Sequence, residues 1–163
     1  MDWQLPLLVS AIMFAAFLVV RLRPAVTPKA RASAAALVEA KRRIESAEDD
    51  PARALALADA ADACALLGRT TSAVGYYLRA LRSDPTSPRV VERAALGLAR
   101  RPRALEHLMW RHLAAHPWDG ERRDASLACL RTLARIYARK RRHDVRAQAL
   151  EHAVAALESR PPT

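Results

Sequence analysis

The chain has 163 residues and a formal net charge of +10, from 27 Lys and Arg against 17 Asp and Glu. That length allows one domain with a single core beside any short terminal segment. Two cysteines without a C-x-x-C spacing do not support thiol chemistry or covalent haem attachment, and four glycines form no phosphate-binding loop.

The N-terminal segment is apolar, and its flanking charges are asymmetric. Residues 3–20 carry no charged side chain, and Arg21 and Arg23 follow directly. Eighteen helical residues extend about 27 Å, against a bilayer core of roughly 30 Å. Basic residues after the run argue against a cleaved signal peptide. The pattern predicts a transmembrane anchor over residues 1–23 that contacts membrane lipid through residues 3–20.

The anchor prediction carries a prediction of location. Under the positive-inside rule the arginines place the remainder of the chain in the cytoplasm, below a single span of a bacterial-type inner membrane. Ala11 and Ala15 form a small-xxx-small pair that would contact another membrane helix; the alternative is the ordinary alanine content of such helices.

Two further segments follow the anchor. Prolines at 24 and 28 predict a neck, and apolar residues at spacings of three and four predict an amphipathic linker helix, so that neck and linker occupy residues 24–49. Residues 50–163 are predicted to be a helical domain.

A period of 34 residues opens this domain, because the Asp-Pro pair at 50–51 recurs at 84–85. Between the pairs, the spacing of apolar residues predicts two helices joined by a turn at Gly68. The positions at which these helices would pack on each other are Leu57, Ala61, Cys64, Ala73, Tyr77 and Ala80.

This pattern resembles a tetratricopeptide repeat (TPR), a 34-residue helix–turn–helix unit. The departures are Leu57 where Trp is usual, Ala60-Ala61 for Leu-Gly, and Cys64 for an aromatic residue. Two looser helical pairs follow, over about 87–116 and 121–159. The predicted fold is therefore all-α: an N-terminal transmembrane helix and a short TPR-like α-solenoid of about three hairpins.

The resemblance implies that the first helix of each hairpin lines a concave groove that binds polypeptides. Arginine forks bind carboxylates bidentately, so an arginine-lined groove predicts a partner with an acidic or C-terminal peptide segment. The alternative is a solvated charged face. The predicted groove residues with charged side chains are Asp62, Arg89, Glu92, Arg93, Arg131 and Arg135; Leu55, Ala58, Ala65 and Leu96 would accompany them.

No constellation in the sequence supports catalysis. His112 and His116 share a helix face at i, i+4, but no third metal ligand is evident, and a surface pair is the alternative. The basic run 139–142 could contact phosphates, but turns between helices are often this basic without binding anything. Nucleic-acid binding would also require exposed aromatic residues, which the sequence does not place beside the run. We therefore predict no enzyme activity, no cofactor, no metal and no nucleic-acid partner.

These features together predict a membrane-anchored adaptor or assembly factor whose TPR-like domain binds partner proteins or peptides. The alternative is a non-catalytic accessory subunit embedded in a larger membrane complex.

Overall fold

A computed structural model describes residues 9–15, 17, 28–115, 117–139 and 144–159. All regular secondary structure in these residues is helical, which confirms the all-α prediction. From residue 28 onward the described residues form seven α-helices and a single 3₁₀ turn over Gly120–Arg122. The helices are α1 (Pro28–Ser46), α2 (Asp50–Leu66), α3 (Thr70–Ser83), α4 (Pro88–Gly97), α5 (Pro102–Ala115), α6 (Arg123–Ala138) and α7 (Asp144–Glu158).

The predicted transmembrane anchor is wrong. Among the helices of the described residues, none combines the length and the apolar character needed to cross a bilayer. Residues 9–15, which include Ala11 and Ala15, are helical and exposed. Helix α1 has 19 residues but carries basic and acidic side chains along its length. The other residues of the predicted anchor, 1–8, 16 and 18–23, lie outside the described residues.

The chain divides into two compact units, residues 1–32 and residues 33–163. The second unit begins inside α1. The reason is that Leu37 and Ala40 of α1 are buried and Ile44 packs against the core. Val38, the residue after Leu37, is exposed.

The first hairpin, α2 and α3, begins and ends where its local sequence directs. The Asp49 carboxylate caps α2 by accepting a hydrogen bond from the Ala52 backbone N–H at 2.6 Å. Gly68, with φ of +74°, takes the left-handed conformation at the predicted turn. At the open end, the Ser83 hydroxyl donates to the Asp50 carbonyl oxygen at 3.1 Å and ties the two helices together.

Small side chains let these two helices approach closely. Ala54, Ala61, Ala73 and Ala80 are fully buried, and the ring of Tyr77 occupies the space that they leave. The sequence prediction that Ala73, Tyr77 and Ala80 face the first helix is confirmed by their burial.

Three hairpins, α2/α3, α4/α5 and α6/α7, stack in a helical-repeat-like arrangement. The first helices contact one another in succession, α2 with α4 and α4 with α6, and α3 contacts α5. In the third hairpin the guanidinium of Arg123 donates to the Leu157 carbonyl oxygen at 2.8 Å. Between α5 and α6, the Tyr137 hydroxyl donates to Glu106 at 2.6 Å and accepts from the Trp110 indole N–H at 3.0 Å.

Candidate functional site

The three first helices differ in length, and the difference produces a cleft. Helix α4 has 10 residues, whereas α2 has 17 and α6 has 16. At a rise of ~1.5 Å per residue, α4 is about 10 Å shorter than α2. A cleft of about 580 Å³ lies where α4 ends, bounded by α4, the start of α5 and the last turns of α6. Its lining residues are Glu92, Ala95, Leu96, Ala99, Pro102, Leu105, Thr132, Arg135, Ile136 and Arg139.

The lining of this cleft, hereafter the α4 cleft, is mostly aliphatic. Leu105 and Ile136 are buried and form part of the core, whereas Leu96 exposes 79% of its surface beside them. A single exposed leucine is common on protein surfaces, but an exposed leucine that continues an apolar cleft is typical of an interaction site.

A cation without an acidic partner stands in the wall of the cleft. The Arg135 guanidinium donates to the Thr132 hydroxyl at 3.2 Å and to the Arg131 carbonyl oxygen at 3.4 Å. Within the described ranges of the chain, no carboxylate forms an ion pair with Arg135. Glu92, on the α4 wall of the cleft, is also exposed and forms no ion pair with described residues. The two walls therefore carry opposite charges that a guest would meet.

Arg93, in contrast, is fully occupied by the chain's own carboxylates. Its Nη2 donates to Asp59 at 2.6 Å and also to Asp62, and its Nε donates to Asp62 at 2.9 Å. Arg43 of α1 donates to the second oxygen of Asp59 at 2.7 Å. This set of side chains, hereafter the Arg93 network, joins α1, α2 and α4.

Tyr77 extends the Arg93 network to α3, because its hydroxyl donates to Asp62 and lies 3.2 Å from the Arg93 carbonyl oxygen. Burial and the hydrogen bond to Asp62 raise the pKa of Tyr77 far above its usual range. Burial acts to lower the pKa of Arg93, but its hydrogen bonds to Asp62 and Asp59 outweigh burial and raise it. Tyr77 therefore stays protonated and Arg93 stays charged near neutral pH.

Gly97 makes room for this network. A Cβ atom at residue 97 would overlap the Tyr77 hydroxyl and would lie 3.3 Å from Asp62 Oδ1. The last turn of α4 therefore approaches α2 and α3 more closely than any larger residue allows.

The charged residues of the predicted groove fall into separate surroundings. Glu92 and Arg135 line the α4 cleft, and Asp62 and Arg93 belong to the Arg93 network. Arg131 forms an ion pair with Glu158 and, with Arg135, lines a second groove of about 530 Å³ between α6 and α7. Arg89 is exposed on α4 and lines neither cavity. Of the four arginines predicted to line the groove, Arg93 and Arg131 therefore pair with carboxylates of the chain itself.

Sequence reasoning missed Asp59, Arg43 and the cleft itself. One signal was available, because Asp59 and Arg93 are 34 residues apart and so occupy the same position in successive repeats. Residues at the same position of adjacent repeats lie beside each other in a solenoid, so opposite charges there predict an ion pair. The contribution of Arg43 has no such periodic signal.

Among the described residues, the histidines and both cysteines do not line the cleft, whereas Arg139 of the basic run does. His112 is buried in α5, His107 is exposed, and His116 lies outside the described residues. Both cysteines are buried and free; burial raises the pKa of Cys64 and raises that of Cys129 to about 12. Of the basic run 139–142, the structure describes Arg139.

Comparison with known proteins adds no assignment. No protein-family model, curated protein or solved structure gives a significant match to this chain.

Proposed function

We propose that this chain is a TPR-like interaction module, an adaptor or assembly factor that binds a segment of a partner protein in the α4 cleft. The observation that supports the proposal most is the exposed side chain of Leu96 at the edge of an aliphatic cleft whose wall holds Arg135, which forms no ion pair with any described carboxylate. Binding, and not chemical transformation, is the activity that such a surface performs.

The size and composition of the cleft agree with this role. A volume of about 580 Å³ lies within the ~300–1,000 Å³ typical of binding pockets, which are mainly apolar with a few polar groups that orient the guest. Arginine is enriched at protein interfaces, where its planar guanidinium pairs with carboxylates.

The net charge of +10 favours a partner with negative charge. A strongly basic protein attracts acidic partners over a distance set by ionic strength, which raises the rate of association. Association should therefore slow as salt is added, while the apolar contacts of the cleft persist.

A selection experiment tests the proposal. A library of peptides displayed on phage is selected on the immobilised full-length chain, and the recovered peptides are synthesised. Their affinities are then measured by fluorescence anisotropy for the wild type, Leu96→Glu and Leu66→Glu. Leu66 is a matched control because it exposes 78% of its surface, lies at the end of α2, and does not line the cleft.

We expect the recovered peptides to lose at least about tenfold in affinity for Leu96→Glu, because a carboxylate would then stand at an apolar contact. Affinity for Leu66→Glu should stay within about twofold of the wild type. Equal affinity for both variants, or no enrichment over several rounds of selection, would contradict the proposal.

A further inference from the structure

We infer that the segment held in the α4 cleft is an acidic amphipathic α-helix whose carboxylates face Arg135 and Arg139. This inference rests on the proposed function and specifies the chemistry of the partner. It follows from the shape of the cleft, from the charges on its walls and from the contrast between Arg135 and Arg93.

The shape of the cleft favours a helical guest. In a stack of helical hairpins each apolar helix face is buried by a neighbouring helix. Helix α4 ends at Gly97, about two turns short of the length of α2, and the lining residues of α6 extend from Thr132 to Ile136, with Arg139 at the C-cap of the helix. The last turns of α6 therefore border a cleft beside the end of α4. The apolar face of a partner helix, with anchors at i, i+3 or i+4 and i+7, fits an aliphatic groove between helices.

The charges on the α6 wall specify acidic residues in the guest. Arg135 and Arg139 are four residues apart, so they stand about one helical turn from each other on the same face. Two carboxylates one turn apart on a guest helix would meet both guanidinium groups. The guanidinium of Arg93 forms ion pairs with two aspartates of the same chain, Asp59 and Asp62. Arg135 has hydrogen bonds to a hydroxyl and a carbonyl oxygen but no carboxylate among the described residues.

Glu92 on the opposite wall orients the guest. It lines the cleft from α4, whereas Arg135 lines it from α6. A guest helix that carries acidic residues along one edge and a basic residue along the other would match both walls. A helix with the same composition but its charged edges exchanged would place like charges together, which disfavours binding.

The test uses three matched peptides of about 18 residues, because shorter isolated helices are marginal in water. The first has leucines at i, i+4 and i+7, glutamates along one edge and a lysine along the other. The second exchanges Glu and Lys. The third has the composition of the first, with a proline at its centre to break the helix. Each is prepared with the leucines in three registers, and its affinity for the full-length chain is measured by fluorescence anisotropy.

Two variants complete the design. Arg135→Glu reverses the charge of the cleft wall, and Arg89→Glu makes the same change at an exposed arginine of α4 outside the cleft. We expect the acidic helix to bind at least about tenfold more tightly than either other peptide. Arg135→Glu should weaken the acidic helix about tenfold or more and strengthen the charge-exchanged helix. Arg89→Glu should change neither affinity by more than about threefold.

Several results would overturn the inference while leaving the proposed function intact. Equal binding of the proline peptide would identify an extended guest, and equal binding of the charge-exchanged peptide would show that the arginines do not select the guest. Failure of all designed helices, when library peptides still bind in a Leu96-dependent manner, would have the same meaning. If a second copy of the chain occupied the cleft, the molar mass measured by light scattering would rise with concentration. Leu96→Glu would abolish that rise. Only the loss of Leu96-dependent binding by every peptide would remove the proposed function itself.

Discussion

Tyr77 has the greatest effect on stability of the single residues described above. Its ring is fully buried between α2 and α3, and its hydroxyl joins the Arg93 network through Asp62. We expect Tyr77→Ala to lower the free energy of unfolding by about 3–5 kcal/mol, because it leaves a cavity that the surrounding helices only partly fill. Tyr77→Phe should cost about 1–2 kcal/mol, since the ring remains and one hydrogen bond is lost. Urea unfolding followed by circular dichroism measures both; a loss below about 1 kcal/mol for Tyr77→Ala would contradict the packing.

Gly97 offers a paired test of the same contact. Helix propensity alone predicts that Gly97→Ala stabilises α4 by up to about 1 kcal/mol. The added Cβ would overlap the Tyr77 hydroxyl, however, and a fully buried ring cannot move aside. We therefore expect a net loss of about 1–3 kcal/mol. In a Tyr77→Phe background the loss should fall by at least about 1 kcal/mol, and equal losses in both backgrounds would contradict the contact.

Because the thiol of Cys129 is buried, we expect the free energy of unfolding to depend on pH in the alkaline range. Burial raises the pKa of its thiol from 9.0 to about 12 in the folded chain, whereas the unfolded chain releases the proton near pH 9. Stability from this group is therefore complete below pH 9 and is lost as the pH rises from 9 towards 12. At pH 10 the loss is about 1.4 kcal/mol. Between pH 8 and pH 10, under reducing conditions, the free energy of unfolding of the wild type should fall by about 1 kcal/mol more than that of Cys129→Ala. Equal decreases would contradict the raised pKa of Cys129.

At the scale of the elements, the Arg93 network fastens α4 to α2. The Arg93 side chain is 30% exposed, whereas that of Arg131, which pairs with Glu158 across α6 and α7, is 58% exposed. Solvent screening makes exposed pairs worth less than about 1 kcal/mol. We expect Arg93→Met to lower the free energy of unfolding by about 1–3 kcal/mol, because it removes three charged hydrogen bonds and leaves Asp59 and Asp62 facing each other. The matched change Arg131→Met should cost less than about 1 kcal/mol, and similar costs for both would contradict this difference.

The elements also show how far the sequence predicts the structure. The first hairpin follows from local signals, because Gly68, the small residues and Tyr77 each act within the 34-residue unit. The inner face of α1 does not follow from local signals, because alanines at several spacings would allow more than one face of the helix to pack. In the structure, the buried face is the one that carries Leu37 and Ala40. The transmembrane anchor was wrong because none of the helices in the described residues is both long and apolar enough to cross a bilayer, although residues 3–20 carry no charge.

The candidate site was harder to predict for a physical reason. A sequence pattern places Arg93 and Arg135 on the same kind of helix face, but it does not show which arginine has a carboxylate within reach. Arg93 meets Asp59 and Asp62 because α4 stacks on α2, and Arg135 lies where α4 has already ended. Whether an arginine meets a carboxylate therefore depends on the length of α4. In the sequence, this length is visible only as a second helical pair that is shorter than the first.

At the scale of the whole molecule, the second compact unit is a stack of three hairpins whose middle member has a short first helix. The short helix makes an aliphatic cleft in an otherwise tightly packed, alanine-rich assembly. We propose that the net charge of +10 draws acidic partners near and that the cleft supplies the apolar contact that holds one of them. Recognition in this account depends on one irregular repeat and not on the whole concave face.

The most direct measurement is a map of where a selected peptide binds. The full-length chain is labelled with ¹⁵N and titrated with a library-derived peptide while backbone amide shifts are recorded. Our account predicts saturable shifts at Leu96, Ala99, Thr132 and Ile136, with little change along α3. Shifts centred on another surface, or no saturable shift, would contradict the assignment of the α4 cleft as the binding site.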